Sequence, residues 1–280
     1  MATIRRGPLR SAAYLCAELS RLKRAAPRET YRAYRNAVLR RLPQIVRQRS
    51  LSPADQRMAG RDWVFTPLGK PIAVEGDHFG TARELYARKA YFLAPGFGLA
   101  GTDIVVDLGA HRGMFTALAA LHAARVVAVE AQKEFMPAIR STVEKVRPGK
   151  HQAVTAIAAY VGSGTGFFAD QSNPEAAADK LGQSITMSQL MAQERLPRID
   201  FLKVDIEGSE FDLFMGSDTA WLDTVRRIAI EVHPEYGDPV ALRRALEQHG
   251  FKTWLFDADT RPVDGLGNAS GYLLASRNSS

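Results

Sequence analysis

The stretch "DLGAHRG", residues 107–113, limits what this chain can fold into more than any other. Two glycines four apart close a run of strand formers, "TDIVVDLG", and "MFTALAALHAA" follows with the composition of a helix. Strand, glycine turn and helix in that order describe a parallel α/β unit that holds a small ligand at its turn. The rest of the chain agrees from residue 103 onward. Strand patterns fall near 103–108, 125–130, 153–161, 200–205, 226–232, 251–256 and 271–276, with helical patterns near 113–123, 133–146, 209–216 and 238–249. Strands alternating with helices predict an α/β fold built on a mainly parallel sheet with right-handed crossovers. Only "DADTRPVDGLGNAS" separates the last two strands, so they are expected to pair as an antiparallel hairpin at one sheet edge.

Asp107 narrows the ligand. A dinucleotide turn reads G-x-G-x-x-G, whereas "GAHRG" lacks the central glycine. A carboxylate at the strand tip would repel a pyrophosphate in a partly buried site. S-adenosylmethionine carries a sulfonium and an ammonium, which a carboxylate favours, and its own carboxylate suits backbone N–H groups at a helix start. Glu130 ends the next strand, "RVVAVEA", where an acid suits a pair of ribose hydroxyls.

A second constellation follows. "IDFLKVDIEGSE" places Lys203, Asp205 and Glu207 on one side of a strand end, and "RRIAIEVHP" ends with Glu231 and His233 two residues apart. Convergence of these strand ends yields a proton-abstracting group with orienting partners, or a site for a hard divalent cation. The structural alternatives are helix capping by Asp205 and Glu207, and an ion pair between Glu231 and Lys203.

The charge is uneven. Residues 1–50 carry 13 Lys and Arg against Glu18 and Glu29, a balance of +11, which leaves 24 basic and 28 acidic residues, −4, for 51–280. The basic character therefore belongs to the N-terminal segment and does not assign nucleic acid to the main domain. That segment reads as two helices split at Pro27, the second with Tyr31, Tyr34, Val38, Leu42 and Ile45 as one apolar stripe. A basic helical extension over 1–50, packing on the domain over 51–280 or forming a homodimer, is the expectation; an acidic partner or an anionic membrane is the alternative. Residues 51–100 read as irregular apart from a helix across "TARELYARKAYFL", and 169–199 as a long connection with a short helix at "SQLMAQE". A single cysteine, Cys16, no secretory signal and no apolar run of about 20 residues predict a cytoplasmic protein without a thiolate metal cluster.

"TDIVVDLGAHRGMFTALAA", "VVAVEAQKEFMPAIRSTVEKV", "FLKVDIEGSEFDLFMG" and "IAIEVHP" together resemble the FkbM-type methyltransferases, in order and spacing, over roughly residues 80–276. The resemblance implies a class I methyltransferase fold: a Rossmann-like sheet of seven strands, mostly parallel, with an antiparallel last strand. It implies S-adenosylmethionine as donor and a hydroxyl oxygen of a natural product or sugar as acceptor. Carried over by position, the cofactor contacts are Asp107, Gly109, Ala110, His111, Gly113, Glu130 and Ala131, with Ile157 and Ala158 beside the adenine. His111, Arg112 and "MSQL" at 187–190 depart from the family's usual residues. In the expected mechanism His233 is the general base, Glu231 orients it and Asp205 lies near the acceptor oxygen; Mg²⁺ held by Asp205 and Glu231 is the alternative. A nicotinamide-dependent dehydrogenase, an RNA methyltransferase using residues 1–50 and a non-catalytic scaffold are the rival readings.

Overall fold

The computed structural model describes residues 8–147, 153–162 and 180–277, with side chains from residue 12 onward. The chain divides into two compact units, Met1–Ala90 and Tyr91–Ser280.

The first unit contains the expected helix pair, Pro8–Ala25 and Arg28–Gln48, separated at Pro27. Its other part is less regular. Strands β1 (Asp62–Phe65) and β2 (Ile72–Glu75) form an antiparallel ribbon where the sequence suggested only turns. The helix predicted over residues 81–93 is present in its first part, where an α-helical turn, Phe79–Ala82, runs straight into a π-helical turn, Arg83–Ala87; a separate 3-10 turn, Ala90–Phe92, follows. Tyr34, Phe65, Phe79 and Tyr86 fill the core, with Tyr34 and Phe79 stacked at 4.9 Å. A buried ionic network runs through it. Glu18 accepts from Arg83 and Arg88, and Arg83 also binds the Asp55 carboxylate at 3.1 Å. Burial alone would raise the pKa of Glu18, but Arg88 and Arg83 hold it below the usual range. These ties of Arg83 and Arg88 to Glu18 and Asp55 explain why a unit of about this size extends past residue 50, to Ala90.

The second unit is a doubly wound sheet. Its strands are β3 (Ile104–Leu108), β4 (Arg125–Glu130), β5 (Val154–Val161), β6 (Gln183–Ile185), β7 (Phe201–Val204), β8 (Arg227–Val232), β9 (Lys252–Asp257) and β10 (Gly271–Ser276). They lie in the order β6-β5-β4-β3-β7-β8-β10-β9. All pairings are parallel except those of β10, which runs antiparallel between β8 and β9. The predicted hairpin is therefore present, with β9 rather than the last strand at the edge. Three-residue β6 extends the expected seven strands to eight. This is the class I methyltransferase sheet with one added edge strand.

The two faces of the sheet differ in chemistry. One carries Val106, Leu108, Val127, Val129, Leu202, Val204, Ile228 and Ile230, which pack on Leu190, Phe211, Phe214, Leu242 and Leu246 from the helices that follow. At the alternate positions of the same strands, the other face carries Asp107, Ala128, Glu130, Lys203 and Glu231. So one face is an ordinary apolar core, and the charged residues share the other.

Candidate functional site

β3 has β4 on one side and β7 on the other, so the sheet reverses direction of winding there and leaves a crevice beyond the carboxyl ends of the strands. The glycine turn sits at that point. Gly109 has φ +73°, and a Cβ on it would lie 1.7 Å from the Asp205 carbonyl oxygen. Gly113 has φ +79°, and a Cβ there would meet the Ile139 backbone at 2.9 Å. Both positions thus require glycine for the protein's own backbone, whatever ligand the turn holds. The Gly109 and Ala110 N–H groups donate to Val129 O, which pins the turn to β4. His111, exposed and at φ +49°, lays its ring edge against Phe135 at 4.3 Å, and the Arg112 guanidinium stands over the same ring.

Asp107 is fully buried. One carboxylate oxygen accepts from Thr116 Oγ1 at 2.6 Å, and the other lies 3.2 Å from Lys203 Nζ. Lys203 also donates to the carbonyls of Leu108 (3.1 Å) and Gly109 (2.7 Å). Burial alone would discharge this lysine, but Asp107 and Asp205 outweigh it and hold its pKa above the ordinary value. The cation that meets Asp107 in this structure is therefore Lys203, and the pair clamps the turn from below.

Glu130 is buried and binds both neighbouring loops: Oε2 accepts from His111 N at 2.7 Å and Oε1 from Gln132 N at 2.8 Å. Burial raises its pKa, against the pull of these two amides. Ala131 accepts from Gly182 N, and Ala158 pairs with Glu130 across the strands. Ile157 and Ala158, both carried over as residues beside the adenine, occupy opposite faces of β5. Ala158 packs with Ala110 and Ile139, whereas Ile157 packs on the apolar core.

The second constellation converges as expected, with different internal partners. His233 Nδ1 is 3.1 Å from Glu210 Oε1, and Nε2 is 3.3 Å from Glu207 Oε2. The same Glu210 carboxylate, fully buried, accepts from His233 N and Gly208 N at 2.8 Å each. Glu210, not Glu231, orients the histidine. Burial would lower the His233 pKa, but Glu210, Glu207 and Asp205 raise it to about 9. Glu231 instead shares the Tyr91 hydroxyl with Asp205: the Tyr91 oxygen is 3.2 Å from Glu231 Oε2 and 3.2 Å from Asp205 Oδ2. Burial first, and the Asp205 charge second, push Glu231 up to about 8. At neutral pH the cluster therefore keeps a proton on Glu231 and a charge on His233.

Tyr91, Glu210 and Thr116 were not recognisable as site residues. Tyr91 lies in "KAYFL", far from any motif, and reaches the strand ends only through tertiary folding; Tyr272, opposite Glu231 on β10, packs edge-on against it at 5.8 Å. Glu210 had a local signal, an acid two residues past the Gly208 turn, but that signal equally describes a first-turn helix acid. Glu84, another acid near the first motif, lies in the first unit and pairs with Arg83 and Arg88. The helix predicted at "SQLMAQE" is Met187–Gln193, begun by a Thr186–Gln189 capping box. The part of the preceding connection over 163–179 lies outside the described residues.

Asp205, Glu207 and His233 also present ligand atoms within 4.8 Å of one another. This set differs from the expected Asp205–Glu231 pair, since Glu231 is engaged with Tyr91 and favours its protonated form.

Among curated proteins, the chain is 38% identical over 71 residues to the AMB antimetabolite synthetase AmbE of Pseudomonas aeruginosa, covering 24% of this chain and 3% of that one. It is 33% identical over 69 residues to Methyltransferase 1 of Beauveria bassiana, covering 25% and 28% of the two chains. The chain thus spans well under a third of either relative's length. A solved FkbM methyltransferase from Methylobacillus flagellatus is 15% identical with a TM-score of 0.49, over 83% of this chain and 60% of that one. The family described as the Methyltransferase FkbM domain matches residues 107–253, from the acid of the glycine turn to the start of β9. With over half of its length matched in this way, the chain belongs to the FkbM methyltransferase family.

Proposed function

We propose that this protein is an S-adenosylmethionine-dependent O-methyltransferase acting on a hydroxyl of a small natural product or a sugar-containing molecule. The observation that carries the reading is the meeting of Asp205, Glu231 and His233 at the adjacent ends of β7 and β8, beside the glycine turn. The residues fit the donor. The carboxylates of Asp107, Asp205, Glu207 and Glu210 outnumber the two cations bonded among them, Lys203 and His233, so the strand ends favour a cationic ligand over a phosphate. Glu130 keeps acceptor capacity beyond its two backbone bonds, as a ribose diol requires. Asp107, Gly109, Ala110, His111, Gly113, Glu130, Ala131 and Ala158 are the proposed cofactor-side residues, with Ile157 behind them.

The donor, when bound, supplies an activated methyl group for in-line displacement by an oxygen. The chain's part is to align the acceptor, exclude water and take the hydroxyl proton. Asp205, 28% exposed, is the carboxylate placed to receive the acceptor's hydrogen bond. His233 takes the proton once its own has left, and a cationic ligand beside it lowers its pKa and so promotes that state. Glu210 fixes the ring, and Tyr91, whose hydroxyl is shared with Glu231, fixes Asp205. The single, free cysteine, Cys16, suits a cytoplasmic setting.

The grouping of Asp205, Glu207 and His233 favours a second version, in which a divalent ion lowers the hydroxyl pKa. An imidazole in the set suits a borderline transition ion better than Mg²⁺. Calorimetry with S-adenosylhomocysteine, followed by transfer of labelled methyl to a panel of hydroxyl acceptors, tests the main reading. Binding of NAD without S-adenosylhomocysteine would overturn it. Turnover unchanged by a chelator would remove the metal version.

A further inference from the structure

The helix Arg28–Gln48 buries Thr30, Tyr34, Ala37, Val38 and Ile45 along one side. On the opposite side, steps of three and four residues pick out Arg28, Arg32, Arg35, Leu39, Leu42, Val46 and Arg49 as one line. The first three are arginines. The next three are apolar and exposed, Leu39 by 61%, Leu42 by 39% and Val46 by 57%. Leu42 was expected in the buried stripe but sits on this outer line instead. Pro43, also exposed, adds apolar surface beside it, and Arg40 and Arg47 stand exposed along the flank. Single exposed apolar residues need no explanation. Three on successive turns of one helix face, edged by arginine, are a surface with a use.

The chemistry selects among occupants. The helix carries six arginines against one acid, Glu29, so a second copy docking face to face would bring like charges together. A nucleic acid would engage the arginines and leave Leu39, Leu42 and Val46 in water. An anionic bilayer answers both features, because apolar side chains enter the headgroup boundary while arginines meet lipid phosphates. We infer that the outer face of this helix docks on an anionic lipid surface, lying in its plane with Leu39, Leu42 and Val46 inserted. No helix among the described residues is long and apolar enough to cross a membrane.

The test uses the full chain sedimented with vesicles of phosphatidylcholine alone or with about a third phosphatidylserine, where each basic residue near the surface adds measurable affinity. Binding is expected to the anionic vesicles only, and to weaken as salt shortens the screening length below ~8 Å. Leu39→Ser with Val46→Ser should lower the partition coefficient by about tenfold or more, and Arg40→Gln with Arg47→Gln by about tenfold. All four positions are exposed, and an unchanged circular dichroism spectrum and melting temperature would show that the fold is retained. Several results would overturn the inference. Wild-type protein left in the supernatant with both vesicle types is one, and anionic binding indifferent to the serine variant is another. A dimer in sedimentation equilibrium that the serine variant dissolves would assign the face to a second copy. Binding to an RNA oligonucleotide, without vesicle binding, that survives the serine variant and fails in the glutamine variant would assign it to nucleic acid.

Discussion

Lys203 Nζ lies 3.2 Å from an Asp107 carboxylate oxygen, at neighbouring positions of β7 and β3, with both side chains all but excluded from water. A buried pair of this kind contributes little net stability over an apolar pair of the same volume, but breaking it strands a charge. Here the stranded charge would sit beneath the glycine turn, whose Leu108 and Gly109 carbonyls depend on the same ammonium. Lys203→Met is expected to destabilise the fold by about 3–5 kcal/mol in denaturant titrations. Adding Asp107→Asn should recover part of that loss. A double variant as unstable as the sum of the singles would show that the two groups act independently.

Gly109 and Asp205 are coupled through backbone. A Cβ at Gly109 would occupy the space of the Asp205 carbonyl oxygen, and φ +73° adds strain for any L residue. Gly109→Ala should therefore move Asp205 as well as the turn, costing about 1–3 kcal/mol or more and weakening S-adenosylhomocysteine binding measured by calorimetry. Gly265→Ala is the control, because nothing lies within 4 Å of a Cβ there and its φ is not positive. Wild-type affinity in Gly109→Ala would refute the coupling.

Alternation made the main sheet legible in the sequence, whereas partners were not. "VVDL", "FLKV" and "IAIEV" each put one charged residue among apolar ones, and period two fixes them all on one face. That periodicity names a face but not a contact, so nothing local in the sequence pairs Asp107 with Lys203. The four-residue strands "DWVF" and "IAVE" were lost among the turn signals of "TPLGKP", and three-residue β6 is too short to show a period. Tyr91 has no local signature because its role depends on a pairing 114 residues away with Asp205.

The pH dependence of stability follows from the two raised groups. Glu231 rises from 4.5 to about 8 and His233 from 6.5 to about 9, so the folded protein holds both protons more tightly than the unfolded chain. A raised pKa makes a contribution that is full below the unfolded value and is lost as pH climbs through the folded one. Stability from this cluster should thus fall from about pH 5 to pH 9, with Glu231 supplying the lower part of that window. Glu231→Gln keeps the shape without the ionisation, and should raise stability near pH 9 by about 2–4 kcal/mol while changing little near pH 4. Melting curves across that range decide it. A variant equally stabilised, or destabilised, at both ends would show that folding does not raise the Glu231 pKa.

Glu210 gives the sharpest test of how His233 is held. Its carboxylate receives the Gly208 and His233 amides and is the first cause of the raised imidazole pKa. Glu210→Gln retains one acceptor oxygen but removes the charge, so the His233 pKa should drop from about 9 toward 6.5, read directly by NMR titration of the ring. If His233 takes the acceptor's proton, the rising limb of the rate profile should move to lower pH by the same amount, since a base acts only once its own proton has left. A merely structural role for Glu210 would lower activity at every pH and leave the limb in place. A titration that moves while the rate profile does not would transfer the proton-accepting role from His233 to Asp205, the cluster's more exposed carboxylate beside Tyr91.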